Sequence, residues 1–277
     1  MKNVYLKVAL ALVIFMLMQG LCGVVMIVVA KVMNYESLAE KAFDGSSVSP
    51  TLLALAVIVS GLLTCLVLWS LKMIRLPQAL DWRVVRWRPA MLGVLAAVTC
   101  VFSTDMAGEM IDLPDMMVDT FLQMADNFWG ILSIAVAGPV VEELVFREAI
   151  QGSLERSGKP FWLAAVVSAL CFGLIHLNPA QIPFAFAMGL ILSVVYHKTG
   201  NAVVTSIIHI LNNSLAVLQM SLMGEQSKDF KMGDWLGLKS AGEWFLVAVL
   251  AVLCVFLLYR YWQLKTVKDS ELLTKDS

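Results

Sequence analysis

Two adjacent glutamates, an arginine, two histidines and an asparagine stand in stretches that are otherwise apolar: Glu142, Glu143 and Arg147, then His176, then His209 and Asn213. Ionisable groups inside a membrane span are costly, so each of these marks a candidate functional position. Glu143 and Arg147 are spaced i, i+4 with the acid first, which permits pairing. Successive helix residues point about 100° apart, so Glu142 faces another way and has no local partner. His209 and Asn213 share one helix face, as do Phe172 and His176. A carboxylate without a partner is suited to activate water as a general base. Donors from His209 and Asn213 would then meet the negative charge that builds on a carbonyl oxygen, each such donor typically worth about 3–4 kcal/mol. The rival chemistry is zinc, since two histidines and a carboxylate can hold it. The helical HExxH motif is absent, so the metal-free reading is preferred and no cofactor is expected, with zinc held open. Neither GxSG nor GxGD occurs, so the serine and aspartate intramembrane signatures are missing. For Glu143 and Arg147, a purely structural ion pair is as good a reading as a catalytic one. His197, between Tyr196 and Lys198, reads as an interfacial residue.

The elements that must carry these residues are membrane spans. Of 277 residues, 60% are hydrophobic and 15% charged, against about 45–50% and about 25% in a soluble domain. A spanning helix needs about 20 apolar residues, which places spans at roughly 8–32, 52–71, 90–105, 128–154, 161–178, 181–197, 202–222 and 244–260. The fold class expected is all-α, a polytopic helical bundle of about eight spans. The chain divides into N-terminal spans with an outer interfacial helix (1–126), a catalytic core (127–223), and a last span with a tail (224–277). With the N-terminus inside, 15 of the 20 Lys and Arg residues fall on the inner side, as cytoplasmic retention of positive charge requires, so both termini are expected inside. Outer segments collect acids such as Glu36, Glu40, Asp44, Asp112 and Asp115. Residues 106–126 read as one helix on the outer interface, opened by Pro114. Arginines and tryptophans alternate at 81–88, which suits anionic headgroups beside a span. A net charge of −1 gives no case for nucleic acid. The five cysteines lie in apolar runs without a CxxC pair and read as packing residues.

Depth along the spans poses a difficulty. His209 lies about 13 Å past the turn at Gly200 and His176 about 24 Å deep, a gap of about 10 Å. A tilted or broken helix is needed to close it, and Pro179 and Pro183 mark where the backbone would break.

Glu142-Glu143-Leu144-Val145-Phe146-Arg147 resembles the EExxxR motif of the CAAX-protease and bacteriocin-processing (Abi) family of intramembrane peptidases. Phe172-Gly173-Leu174-Ile175-His176 is similar to its FxxxH motif, and His209-Ile210-Leu211-Asn212-Asn213 to its HxxxN/D motif. The three occur in the family's order. The resemblance implies a cavity open toward the cytoplasmic side. It also implies hydrolysis of a peptide bond in a membrane-associated or lipidated peptide or protein. Glu142 would be the base, His176 would help hold the water, and His209 and Asn213 would stabilise the oxyanion. Glu143, Arg147 and Phe172 would support them. Partners implied are a peptide or protein substrate and membrane lipids. The alternatives are a non-catalytic immunity or scaffold protein of the same fold, a zinc-dependent peptidase, and a small transporter using the acids as a proton relay. Against the transporter, no pair of broken half-helices is evident.

Overall fold

The computed structural model describes residues 3–32, 49–85, 87–111 and 113–264. Lys2, Glu36, Glu40, Lys41, Asp44, Arg86, Asp112, Lys265, Lys268 and Lys275, which enter the charge distribution above, lie outside them. Eight long helices follow one another among the described residues. They are α1 (Val4–Val32), α2 (Pro50–Ser70), α3 (Trp87–Ile111), α4 (Phe128–Arg156), α5 (Phe161–Leu174), α6 (Ile182–Thr199), α7 (Ala202–Met223) and α8 (Ser240–Gln263). Seven of them are long and apolar enough to cross a membrane, so the chain is a multi-pass helical membrane protein.

The exception is α5. Its 14 residues reach about 21 Å, short of the hydrocarbon core of about 30 Å. The expected span over 161–178 therefore ends early, and His176 stands beyond the helix in the connector to α6. Pro179 is the physical reason, because it cannot donate to a helix and disfavours helical geometry at Asn178. The connector turns through Leu177, whose φ of +52° is a left-handed conformation rare for a branched side chain.

The third span is longer than its sequence pattern suggests, and residues 106–126 are not one interfacial helix. Met106 is buried in the bundle and α3 continues to Ile111. The chain then runs non-helically through Pro114, and a short helix begins only at Val118, ending at Ala125.

Helix α1 lies along α2, α8 along α3, and α6 against both α5 and α3. Helix α4 is central, touching α1, α2, α5, α6 and α7. Every residue from Glu143 to Gln151 is buried. Close approach of α5 and α6 depends on Gly189, where an added Cβ would lie 3.1 Å from the backbone of Ala169. Small residues at such crossings let packing replace the hydrophobic drive that lipid does not supply. The outward faces carry large apolar side chains, among them Leu17, Leu66, Leu215 and Phe245.

Candidate active site

Helix α4 is not a uniform α-helix. It switches to π-type i, i+5 bonding over Ser133–Ala137 and again over Glu143–Gln151, and π turns gather at functional sites. The first switch follows from Gly138-Pro139. The Gly138 N–H bonds to the Ser133 carbonyl. The next donor in that register would be Pro139, which has no N–H. The Ile134 carbonyl is left over, and Asn213 on α7 fills it, donating from Nδ2 at 3.0 Å. Its own Oδ1 accepts from Asn212 Nδ2 at 3.0 Å. Asn213 is thus fixed at both ends of its amide, with one N–H left to give.

The second π segment begins at the glutamate pair. Though Glu142 and Glu143 leave the helix in different directions, both carboxylates reach one imidazole, at its two opposite nitrogens. Glu143 Oε1 is 3.1 Å from His209 Nδ1, and Glu142 Oε2 is 3.6 Å from His209 Nε2. A carboxylate only accepts, so His209 Nδ1 carries its proton and donates to Glu143. In the neutral ring Nε2 then holds the lone pair, facing Glu142. Glu143 is fully buried, whereas Glu142 retains 23% of its side-chain exposure.

Behind Glu143 the buried Arg147 donates from Nε to Glu143 Oε2 at 3.0 Å. Its Nη1 donates to Ser168 Oγ at 2.9 Å and Ser193 Oγ at 3.2 Å. Its guanidinium lies over the Phe172 ring, 5.1 Å from the centroid. Phe172 also stands edge-on to His209 at 5.5 Å and to His176 at 5.1 Å. The depth gap expected between the two histidines is therefore closed by one aromatic ring, because His176 has left the helix. His176 donates from Nδ1 to the Phe172 carbonyl at 2.8 Å, which leaves its Nε2 as an acceptor. Asn178, fully buried, steadies this connector by donating to Asp115 Oδ1 at 2.8 Å and accepting from the Met116 N–H at 3.2 Å. Among the described residues no group of three or more His, Cys, Asp or Glu side chains is placed to hold a metal ion.

A second buried ion cluster lies one turn further along α4. Glu148 accepts from Arg75 Nε at 2.8 Å, from Arg156 Nη1 at 3.0 Å and from the Tyr196 hydroxyl. Its bond to Glu148 raises Arg75 above the ordinary arginine value, against the lowering effect of burial. Gly152 is required here, since a Cβ would come within 2.6 Å of both the Tyr196 hydroxyl and Arg156 Nη1. Arg147 and Glu148, one residue apart, thus belong to two separate clusters. At the end of the same helix Glu155 accepts from His197 Nδ1 at 2.9 Å, with His197 stacked on Trp262. The interfacial histidine is held in a cluster of its own. Ser168, Ser193, Tyr196 and Asn178 were not singled out by sequence. Only Asn178, a polar residue next to Pro179, carried a readable signal.

Residues 124–215 match the family model for type II CAAX prenyl endopeptidase Rce1-like proteins. The membrane-embedded CAAX protease MroQ of Staphylococcus aureus (strain USA300) is 38% identical over 103 residues, covering 35% of this chain and 42% of that protein. The putative membrane peptidase YdiL of Bacillus subtilis (strain 168) is 28% identical over 88 residues, covering 32% of this chain and 36% of that protein. The chain thus spans about two fifths of the length of the curated relatives it matches. No solved structure matches. The CAAX-protease resemblance carried by the three motifs holds for this segment.

Proposed function

We propose that this chain, whose residues 124–215 carry the CAAX-protease resemblance, is an intramembrane endopeptidase. It hydrolyses a peptide bond of a membrane-associated or lipidated peptide or protein, with Glu142 as the base. One observation carries the reading. Glu142 is the partly exposed acid of the pair, and it faces the ring nitrogen of His209 opposite the one fixed by Glu143.

The steps follow from the proton positions. Glu142 takes a proton from water, and the hydroxide attacks the scissile carbonyl carbon. His176 Nε2, its other nitrogen bound to the Phe172 carbonyl, accepts a hydrogen bond from the second O–H of that water, which stays on the oxygen, and so aims its lone pair. The oxyanion is met by the remaining N–H of Asn213 and by His209. Because Nδ1 is committed to Glu143, Nε2 donates only when the ring carries both protons. That second ring proton is the one Glu142 takes from the water, passed on to Nε2 as the oxyanion forms, so the ring enters the step with its single proton on Nδ1 and the summed charge of cluster and oxyanion is unchanged by the attack. The tetrahedral intermediate collapses by C–N cleavage, and the proton returns through Glu142 to the leaving amine. Phe172 sets the spacing of the two histidines, and Glu143 with Arg147 orients His209. Both termini lie on the cytoplasmic side in this reading, on the strength of the Lys and Arg distribution, and the mouth of the site opens there too, as the family resemblance implies.

The test uses purified full-length protein in liposomes, offered a prenylated CAAX-terminated peptide and its unprenylated twin. Wild type should cleave one or both, and Glu142→Gln should stay folded while cleavage falls by at least about 1000-fold. Wild-type rates in Glu142→Gln would sink the glutamate mechanism, and loss of activity with a zinc chelator, restored by zinc, would replace it with a metal one. Reporter fusions after Lys72 and Ser227 should read inside and outside respectively.

A further inference from the structure

Resting on the peptidase reading, we propose that Ser168 and Ser193 are positioning residues that set the proton on His209 from two side chains away. Both serines are buried, one on α5 and one on α6, and both face Arg147 on α4. Each hydroxyl spends its own hydrogen on a helix carbonyl. Ser168 donates to the Phe146 carbonyl and Ser193 to that of Gly189, each at 2.8 Å. Each therefore presents only lone pairs to the guanidinium. Among the described residues these two bonds are the only ones made by the terminal nitrogens of Arg147, because Nη2 has no partner. The serines thus fix the orientation of the guanidinium plane, and with it the aim of Nε at Glu143 Oε2.

The consequence runs along one direction of donation. The Arg147 bond holds one oxygen of Glu143, which leaves Oε1 for His209 Nδ1. Nδ1–H is thereby the favoured arrangement, and Nε2 is turned to Glu142 and the reacting atoms. Without the serines, both terminal nitrogens of a buried guanidinium would lack acceptors, and the side chain would rotate to find others. Glu143 would follow it. The His209 ring would then lose the partner that distinguishes its two nitrogens. Neither serine touches substrate in this arrangement, so substrate affinity should not register their loss.

The experiment compares wild type with Ser168→Ala/Ser193→Ala, Ser193→Ala and Ser193→Thr, as folded full-length protein in detergent micelles. Nitrogen-15 NMR of the three histidines, with His209→Gln for assignment, reads which ring nitrogen is protonated. Steady-state cleavage of the best peptide from the preceding assay reads kcat and KM. The double variant should lose the Nδ1–H signature of His209 and about 10–100-fold in kcat, with KM unchanged. Ser193→Thr keeps a hydroxyl and should retain both, and Ser193→Ala should fall between. An unchanged His209 signature in the alanine variants overturns the proposal, as does a fall in kcat that Ser193→Thr shares. Should the double variant not fold, Ser193→Ala against Ser193→Thr decides by the same two readings. If wild type cleaves nothing, or Glu142→Gln cleaves as well as wild type, the peptidase reading fails. The NMR comparison still judges the link from serine to histidine.

Discussion

Glu143 and Glu148 sit one turn apart on the same helix, both fully buried and both paired with arginine. Their surroundings differ in what is left over. Glu148 takes three donors, and its two arginines run outward, with Arg75 44% and Arg156 33% exposed. That cluster joins the segment after α2, the end of α4 and the end of α6, and among the described residues none of its buried side-chain polar atoms lacks a partner. It is a clamp. The Glu143 cluster faces inward. Its arginine ends on two serines, its imidazole has one nitrogen committed, and beside it stands Glu142 without a hydrogen bond of its own among the described residues. A buried ion pair taken alone says little about function. The partly exposed acid that it leaves unneutralised is what separates the reactive cluster from the structural one.

Breaking each cluster at its arginine or acid should expose that difference. The largest effect on stability is expected for Arg147→Ala, which leaves Glu143 buried with no cation on its side and should cost about 3–5 kcal/mol. Thermal unfolding in detergent measures it. A normal melting temperature combined with lost activity would instead move Arg147 into direct contact with the reaction.

Asn213→Ala should come next. It removes one oxyanion donor, for about 100–1000-fold in kcat, and it also strips the Ile134 carbonyl of its partner. A loss below tenfold would mean that the amide serves the π turn alone. Glu148→Gln should cost less, about 1–3 kcal/mol, because the arginines it releases already reach water. Activity per folded molecule should survive, and a collapse of kcat in a well-folded Glu148→Gln protein would erase the distinction between the two clusters.

How much of this was legible in the sequence varies with the physical source of each feature. Eight apolar segments predict eight helices, because burying a backbone in lipid leaves it few alternatives. The three motifs name Glu142, His176, His209 and Asn213, and the structure places His209 beside Glu142, His176 one aromatic ring away from His209, and Asn213 on α7 with its amide bonded to the first π turn of α4. At α4 the helical period turns Glu142 and Glu143 apart, yet their side chains are long enough for both carboxylates to reach His209, at its two opposite nitrogens. The first π turn had its own signal in Pro139, five residues after Ile134. The clamp was hidden for another reason. Arg75, Glu148, Arg156 and Tyr196 come from three distant segments, and no spacing rule links them. Serines in a span look like small packing residues until an arginine is found against them.

The smallest expected effect concerns the strained connector that carries His176. Leu177 has φ of +52° and a side chain 69% exposed, so it contributes little burial in return for its conformation. An L-residue in the left-handed region costs about 1–2 kcal/mol, and glycine avoids that cost but loses about 0.5–1 kcal/mol of chain entropy on folding. Leu177→Gly should therefore be neutral to stabilising by roughly 1 kcal/mol, read as a small rise in melting temperature. The Asn178 bonds to Asp115 and Met116 remain in place, and so does the His176 bond to the Phe172 carbonyl, so kcat should change little. A clear drop in melting temperature would show that the exposed leucine is anchored in lipid or against a partner chain. Unchanged stability with a large loss of kcat would show that the connector's geometry, rather than its hydrogen bonds, holds His176 over the site.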